Sequence, residues 1–324
     1  MKKIVFIIPY FGKFNNYFQL FLNSCAKNQE VNWLIYTDDK TEYNYPKNVR
    51  VKYRTFDDIK NLFQDKFKYK ISLERPYKLC DYKPLYGYLF EDDIKGYEYW
   101  GYCDTDLIWG DISKFIFTEL EKNYDKLFFL GHCTILRNSL KVREILKKSI
   151  NTEKRFQEVY TNDKNCSFDE EFENSINNMF KKYDLKIMLK ELEANIYTKS
   201  SNFNLIRYSL ENSSYYVKKR EKSFFTYEDG KIIQYYLENK KVKKEEFLYI
   251  HMQSRKMNIK IDMNENFYKI IPNSFEKLEY KTITEENFAM IKKKNFNLHY
   301  FKLRGKNLKI KILNFMVKRG IKWD

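Results

Sequence analysis

The chain has 324 residues, of which 43% are hydrophobic and 18% aromatic, so it can bury a sizeable core and is not of disordered composition. No stretch approaches the ~20 apolar residues that span a bilayer, and five widely spaced cysteines without a C-x-x-C pair argue against a zinc site. The formal charge of +16 fits a polyanionic partner, such as nucleic acid, an anionic membrane or a phosphorylated substrate, but equally a solvated lysine-rich surface.

The first elements predict a strand, a helix and a second strand. Ile4–Ile8 is uniformly apolar and β-branched, which indicates a strand covered on both faces, and the run is too short for a signal peptide. Apolar residues near helical spacing over 16–28 predict a helix, and Val31–Tyr36 predicts the second strand. Because such units bind ligands at the carboxyl ends of their strands, Pro9–Gly12 and Tyr36–Asp39 are candidate binding loops.

The centre of the chain carries the triplet Asp104-Thr105-Asp106, directly after the aromatic, strand-like run Tyr97–Cys103. Two carboxylates one residue apart at the end of a buried strand repel each other and lose hydration, and a divalent cation removes that cost. Mg²⁺ and Mn²⁺ prefer oxygen ligands and are held by one or two carboxylates together with substrate phosphates. The alternative is a surface turn, in which Asp-x-Asp occurs by chance.

Charged residues on either side of the triplet are further candidates. A helix predicted to begin near Pro76 or Pro84 carries Lys78 and Lys83, which either point at donor phosphates or are exposed helix charges. Helices are also predicted over 138–150 and 169–193. Asp169 and Glu170 lie at the apparent start of the helix predicted over 169–193. They either act as a catalytic base or bind sugar hydroxyls, or they cap the helix.

His251 ends an apolar strand-like run and precedes the basic residues Arg255 and Lys256. This pattern suits a metal ligand beside a diphosphate, although a histidine hydrogen-bonded within the core gives the same pattern. His132 follows an apolar strand near Gly131 and has the same two interpretations.

Short strands are predicted over 215–250, and the pattern weakens beyond Asp262. The segment 300–324 mixes apolar residues with lysine and arginine, which predicts a basic amphipathic helix that contacts an anionic membrane peripherally. The alternative is a terminal helix that packs against the protein. We therefore expect a catalytic domain over 1–260 and a C-terminal extension over 261–324.

Taken in order, these motifs resemble bacterial GT-A glycosyltransferases of capsule and lipopolysaccharide assembly, over about residues 1–257. The residues that carry the resemblance are Ile8-Pro9-Tyr10-Phe11-Gly12, Tyr36-Thr37-Asp38, Tyr77-Lys78-Leu79-Cys80-Asp81-Tyr82-Lys83-Pro84, Trp100-Gly101-Tyr102-Cys103-Asp104-Thr105-Asp106, Gly131-His132, Phe168-Asp169-Glu170 and Tyr249-Ile250-His251. The resemblance implies an α/β fold of GT-A (Rossmann-like) type, with a mixed, mainly parallel sheet flanked by helices and followed by a basic helical extension. The odd number of cysteines fits buried thiols in a reducing compartment, so we expect a cytoplasmic enzyme, which lies on the inner face of the membrane if the tail docks there.

The resemblance further implies roles for individual residues. Asp104, Asp106 and His251 would bind Mn²⁺ or Mg²⁺, Asp104 also being shared with the donor. Asp169 and Glu170 would lie near the transferred sugar as the catalytic carboxylates, and His132 near the acceptor. The donor would be a nucleotide sugar of the UDP-hexose type. Residues at the strand ends and basic side chains would bind it: Pro9, Tyr10, Tyr36, Asp38, Lys78, Lys83, Asp104, Arg255 and Lys256.

The predicted reaction is transfer of a hexose-type sugar to a glycan or lipid-linked glycan, with inversion or retention left open. A nucleic-acid-binding protein is one alternative; the basic residues are interspersed with acidic ones and no nucleic-acid motif is present, so no nucleic-acid partner is expected. A sugar nucleotidyltransferase is another, and the glycine-rich basic N-terminal loop expected of it is missing.

Overall fold

In the computed structural model, residues 2–145, 148, 155–170, 174–220, 222–291 and 298–318 are described. The chain divides into two compact units, Met1–Leu192 and Glu193–Asp324. This differs from the domain boundary predicted at 260/261. The physical reason is a long-range strand pairing: Phe267–Ile271 pairs with Ser223–Glu228, so residues on both sides of position 260 belong to one sheet.

The first unit combines strands and helices. Its strands are β1 (Lys2–Pro9), β2 (Val31–Thr37), β3 (Val49–Tyr53), β4 (Tyr97–Cys103), β5 (Leu107–Trp109), β6 (Lys126–Leu127), β7 (Cys133–Arg137) and β8 (Ile187–Met188). Its helices are α1 (Phe18–Ala26), α2 (Phe56–Gln64), α3 (Leu79–Tyr82), α4 (Tyr86–Leu89), α5 (Thr118–Leu120), α6 (Leu140–Ile145), α7 (Arg155–Thr161) and α8 (Ile176–Lys182). Single helical turns cover Pro76–Lys78, Lys83–Leu85 and Ser113–Phe117.

The main sheet of this unit has the order β3-β2-β1-β4-β7-β6-β8 among the described residues. β1 is parallel to β2 and β4, and β2 is parallel to β3, whereas β7 runs antiparallel to β4 and β6. The predicted α/β class, with a mixed and mainly parallel sheet, is confirmed. Because parallel strands end at the same edge of a sheet, the loops after β1, β2 and β4 meet along one edge, here called the carboxyl edge.

Both faces of β1 are covered, as its uniformly apolar sequence predicts. Successive side chains of a strand point to opposite faces, and Val5 packs in a cluster that includes Tyr82 from the helical turns. Its neighbour Phe6 packs instead against Trp33 and Trp109, with ring centroids 5.8 and 5.2 Å away. The central strands are therefore fixed from two sides, which makes the carboxyl edge a rigid base for a site.

The helical predictions are confirmed in part. Both proposed starts, Pro76 and Pro84, lie in the first turn of a helical segment, within a series of turns that runs to Leu89. The predicted helix 138–150 is described only as α6, and residues 146, 147, 149 and 150 lie outside the described residues.

The helix predicted over 169–193 is shorter than expected, because α8 is the only helix among the described residues of that range. Asn174 and Asp184 flank α8 with φ values of 62° and 52°, a left-handed conformation that an α-helix does not contain. Residues 171–173 lie outside the described residues. The cap residue of α8 is Ser175, so Asp169 and Glu170 are not its capping residues and the helix-capping alternative is wrong.

The second unit consists mainly of antiparallel strands, which confirms the strands predicted over 215–250. They are β9 (Ala194–Asn195), β10 (Leu205–Ser209), β11 (Ser214–Lys218), β12 (Ser223–Glu228), β13 (Ile232–Glu238), β14 (Lys241–Phe247), β15 (Tyr249–His251), β16 (Asn258–Lys260), β17 (Phe267–Ile271) and β18 (Ser274–Lys277). A six-stranded sheet has the order β14-β13-β12-β17-β18-β16, β10 and β11 form a hairpin, and β9 pairs in parallel with β15. Helices α9 (Glu285–Ile291) and α10 (His299–Lys318) follow.

Helix α10 confirms that the basic C-terminal segment is helical as far as Lys318; Arg319 and Lys322 lie outside the described residues. Large apolar side chains of this helix are exposed, among them Phe301, Leu308 and Ile312. Within the part of the chain that the structure describes, no helix is both long and apolar enough to cross a membrane.

Candidate functional site

The triplet Asp104-Thr105-Asp106 connects β4 to β5 at the carboxyl edge. Its backbone is held on two sides, because Asp104 N–H donates to the His132 carbonyl at 2.9 Å and the Asn15 amide donates to the Thr105 carbonyl at 3.1 Å. Asp104 is half-buried and Asp106 is buried, and their carboxylate oxygens lie within 4.8 Å of each other. Two like charges this close, partly out of water, repel unless a positive charge lies between or beside them.

Lys83 supplies one such positive charge. Its Nζ lies 2.9 Å from Asp104 Oδ1, 3.2 Å from Asp169 Oδ2 and 2.9 Å from the Gly131 carbonyl. Burial works against the charged ammonium, but the carboxylates of Asp104 and Asp169 outweigh it and raise the pKa of Lys83 above its ordinary value. Lys83 therefore joins the triplet to the candidate catalytic carboxylates. We call Lys83, Asp104, Asp106, Asp169 and Glu170 the acidic centre.

Asp169 is almost fully buried, and burial raises the pKa of its carboxyl from 3.8 to about 7, against the opposing effect of Lys83. The neighbouring Glu170 accepts a hydrogen bond from Gly131 N–H at 3.2 Å. There is no room for a side chain at position 131, because a Cβ there would lie 2.5 Å from Asp169 Oδ2 and 2.9 Å from Glu170 Oε1. The close approach of the two carboxylates to β7 thus requires a glycine.

Lys126, at the start of β6, is a buried residue that the sequence did not single out. Its Nζ donates to the Phe128 carbonyl, and burial lowers its pKa to about 7, while Asp169 and Glu170 act in the opposite direction. A lysine at the beginning of an apolar run has the sequence pattern of an exposed flanking residue, so only the fold reveals that it lies near these carboxylates.

Lys78 has different partners from Lys83. It is buried, and its Nζ donates to Asp81 Oδ2 at 2.8 Å and to the carbonyls of Val159 and Lys164. Asp81 in turn accepts hydrogen bonds from the backbone N–H groups of Cys166 and Phe168, at 2.8 and 3.1 Å. This pair fixes the segment that leads into Asp169. The donor-binding role of Lys78 stays a prediction.

The loops after β1 and β2 lie side by side. Tyr10 N–H donates to the Tyr36 carbonyl at 2.8 Å, and Gly12 N–H donates to Asp38 Oδ1 at 2.8 Å. Gly12 has a φ of 99°, which favours glycine. Burial and then the charge of Asp106 raise the pKa of Tyr10, so this loop lies within electrostatic reach of the acidic centre.

The Tyr36 side chain is buried, and its hydroxyl donates to Asp93. In the same loop, Asp39 is buried and accepts from Phe14 N–H and Lys13, whereas Asp38 is exposed. Contacts of Pro9, Tyr10, Tyr36 and Asp38 with a nucleotide stay predictions, as does the acceptor role of His132, which is itself buried.

The remaining predicted site residues belong to the second unit. His251 ends β15, and its Nδ1 lies 3.0 Å from Asn195 Oδ1 on the paired strand β9. Arg255 is buried, donates to the Ser200 carbonyl at 2.7 Å and to Asn273 Oδ1 at 3.1 Å, and contributes to the packing of this unit. Lys256 is exposed. Their metal and donor roles stay predictions.

Comparison with known proteins gives remote likenesses to two glycosyltransferases. No curated protein matches the chain. Mouse xyloside xylosyltransferase 1, in its apo form, matches with a TM-score of 0.36 and 7% identity, over 60% of this chain and 88% of its own. The galactosyltransferase LgtC, in complex with donor and acceptor sugar analogues, matches with a TM-score of 0.31 and 10% identity, over 60% of this chain and 75% of its own. An active-site mutant of LgtC gives a TM-score of 0.32 and 10% identity, over 60% and 74%.

One family model covers most of the chain. It is described as "Family of unknown function (DUF6625)" and matches residues 6–279, which include the whole acidic centre and His251. The matched region extends beyond the 257 residues over which the sequence motifs are found, and ends before α9. The chain therefore belongs to the family of unknown function DUF6625.

Proposed function

We propose that this chain is a metal-dependent glycosyltransferase of the GT-A type, which moves a sugar from a nucleotide sugar to a glycan acceptor. The observation that carries the proposal is the acidic centre at the carboxyl edge of the first unit. Asp104 and Asp106 bring two carboxylates within 4.8 Å of each other, and Lys83 links Asp104 to the buried Asp169. Ligands of α/β sheets bind at this edge, and oxygen ligands of this kind suit Mg²⁺ or Mn²⁺.

Glycosyl transfer breaks the bond between the anomeric carbon of the sugar and a diphosphate oxygen, and forms a bond from that carbon to the acceptor oxygen. A divalent cation bound by Asp104 and Asp106 would neutralise the negative charge that develops on the leaving diphosphate. The loop at Tyr10 supports the nucleotide end of this arrangement, because it lies beside the Tyr36–Asp38 loop and within electrostatic reach of Asp106.

His251 is the third metal ligand in this proposal, as the sequence predicts. The contact of its Nδ1 with Asn195 orients the ring, so the proposed ligand atom is the other nitrogen, Nε2; metal-bound histidines are oriented in this way by a second hydrogen bond. Of the two basic candidates for the diphosphate, we favour Lys256. It is exposed, whereas the Arg255 guanidinium already donates to a carbonyl and an amide of its own unit.

Asp169 is the proposed base if the reaction inverts the configuration at the anomeric carbon. A carboxylate with a pKa of about 7 can take a proton from the acceptor hydroxyl as the new bond forms, and its basicity comes from burial. A retaining reaction needs no such base, and Asp169 and Glu170 would then bind sugar hydroxyls. The anomeric configuration of the product, measured by NMR against that of the donor, decides between the two.

The proposal is tested by metal-dependent hydrolysis of a panel of UDP-sugars. We expect the wild-type protein to hydrolyse at least one of them with Mn²⁺, and Asp106→Asn to lose that activity. The matched control is Asp92→Asn. Asp92 is exposed and forms an ion pair with the exposed Lys95 of the same turn. Undiminished Mn²⁺-dependent hydrolysis by Asp106→Asn would contradict the proposal.

We further propose that α10 brings the enzyme to a lipid-linked acceptor on an anionic membrane. Phe301, Leu308 and Ile312 are spaced seven and four residues apart, so they share one face of the helix, and all three are exposed. Basic residues lie between them in the sequence and no acidic residue occurs in the helix. Clustered lysine and arginine near an anionic surface contribute about 1 kcal/mol each, which makes this segment a peripheral anchor.

A further inference from the structure

Tyr77 is an aromatic side chain of the first unit that protrudes into solvent, with 71% of its surface exposed. Its backbone is nevertheless fixed. The Asn165 amide donates to the Tyr77 carbonyl at 3.2 Å, and Arg75 donates to the same Asn165 side chain at 2.9 Å. The next residue, Lys78, is buried in the pair with Asp81. The ring therefore projects from a rigid turn.

Single exposed aromatic residues are common on protein surfaces, so exposure alone says little about Tyr77. Its position beside the acidic centre is what distinguishes it. Tyr77, Cys80 and Lys83 are three residues apart along successive helical turns, so they form one row on the same side of the chain. Exposure falls along the row: Tyr77 is exposed, Cys80 is half-buried, and the Lys83 side chain is 12% exposed. The inner end of the row is the ammonium group that bonds Asp104 and Asp169.

Electrostatics agree with this placement. The pKa of Tyr77 is raised, first by the neighbouring Cys80 and then by burial, and the charges of Asp104 and Asp169 act on it in the same direction. Lys83 opposes them. The phenol thus lies within electrostatic reach of the acidic centre, although its ring faces solvent.

A ring in this position offers a flat apolar face and a polar tip at the outer end of the site. Pyranose rings match such a face, because several of them carry C–H groups on one side and hydroxyls around the rim. The cation and diphosphate are proposed to lie at Asp104 and Asp106, and the acceptor must approach the anomeric carbon from elsewhere.

We propose that Tyr77 is a stacking platform for the acceptor sugar, an inference that rests on the transferase function proposed above. The turn at Pro76–Lys78 fixes the backbone that carries the ring, so only the rotation of the side chain is lost on binding. The acceptor class is a pyranoside with an apolar C–H face.

The experiment compares Tyr77→Ala and Tyr77→Phe with the wild-type protein. The matched control is Tyr216→Ala, which removes an exposed tyrosine from β11 of the second unit. Because Tyr77 is exposed, all variants should keep the Tm of the wild type. The first readout needs no catalysis: saturation-transfer NMR with methyl glucoside, methyl galactoside and methyl mannoside as probes. We expect C–H signals of at least one glycoside with wild type, Tyr77→Phe and Tyr216→Ala, and their loss with Tyr77→Ala.

The second readout is steady-state transfer from the best UDP-sugar. Tyr77→Ala should raise the acceptor KM about tenfold, the size of one aromatic contact, with donor KM and acceptor-independent hydrolysis unchanged. The inference is overturned if no glycoside binds the wild type, if Tyr77→Ala binds as well as the wild type, or if donor and acceptor KM rise together. Failure of the proposed function looks different: no UDP-sugar is hydrolysed or transferred by the wild type, whatever glycoside binding shows.

Discussion

Replacing Asp169 with asparagine should stabilise the first unit increasingly as the pH rises. Asparagine has nearly the same shape and cannot ionise, so it removes the cost of keeping a carboxylate buried. Burial and Lys83 have the largest effects on the pKa of the wild-type carboxyl, and the charges of Glu170 and Asp104 raise it further. Burial raises its pKa and the ion pair with Lys83 lowers it, and burial is the larger effect, giving a pKa of about 7.

The magnitude follows from the difference between the folded and unfolded pKa values. Well below pH 3.8 the carboxyl is protonated in both the folded and the unfolded state, and its ionisation costs nothing. Between pH 5 and pH 7 the unfolded carboxyl, with a pKa of 3.8, is ionised while the folded one keeps its proton. The wild type therefore loses about 2 kcal/mol of stability relative to Asp169→Asn between pH 5 and pH 7, and the loss per pH unit becomes smaller as the pH approaches 7. Above pH 7 the difference levels off.

The measurement is urea unfolding of both proteins at pH 5, 6, 7 and 8 with EDTA present. Tryptophan fluorescence reports on the first unit, because Trp33, Trp100 and Trp109 are all buried there. Asp92→Asn is the control; its carboxylate is exposed, so its difference from wild type should stay small at every pH.

A difference in stability between Asp169→Asn and wild type that does not change with pH would contradict this prediction. So would a difference of the opposite sign, in which the wild type gains stability relative to the variant as the pH rises. The latter result would mean that the ion pair with Lys83 outweighs burial, and that Asp169 is an ordinary ionised partner of a lysine.

The remaining predictions concern the site and the tail. Gly131→Ala should lower UDP-sugar hydrolysis at least tenfold, because its Cβ would lie 2.5 Å from Asp169 Oδ2; Gly305→Ala, where a Cβ meets nothing within 4 Å, should not. Asp106→Asn should weaken Mn²⁺ binding at least tenfold by calorimetry, since it removes a charged oxygen ligand. Deleting 300–324 should reduce sedimentation with anionic liposomes and leave Mn²⁺-dependent hydrolysis unchanged. Full activity of Gly131→Ala, an unchanged Mn²⁺ affinity or undiminished liposome binding would contradict the respective prediction.

The central strands could be predicted from the sequence because their signal is local. The run Ile4–Ile8 is apolar at every position, which is typical of a strand in a parallel sheet that is covered on both faces. Once β1, β2 and β4 are parallel, the loops that follow them must share an edge, so the proximity of Tyr10 and the Asp104 triplet follows from topology.

The parts that could not be predicted depend on contacts between distant residues. Residues on both sides of position 260 belong to one unit, since Phe267 pairs with Glu228, and no local pattern encodes that pairing. In the same way, Lys83 meets Asp104 and Asp169 only after the chain has folded.

Lys78 and Lys83 show how far burial decides what a charged residue does. Each is a lysine of the same helical series, and each bonds a buried aspartate. Asp81, the partner of Lys78, also accepts two backbone N–H groups, and Lys78 donates to two carbonyls, so that pair has the hydrogen bonds a buried ion pair needs. Such a pair is explained by the fold alone.

The Lys83 pair is not explained in this way. The pKa of Asp169 is raised to about 7 even beside the Lys83 ammonium, which also pairs with Asp104. The attraction of Lys83 for the ionised carboxylate is therefore smaller than the cost of burying that charge. A carboxyl that costs the fold stability at neutral pH, at the edge of the sheet where ligands bind, is typical of a functional group rather than a structural one. All of the contacts that set this pKa lie within the first unit.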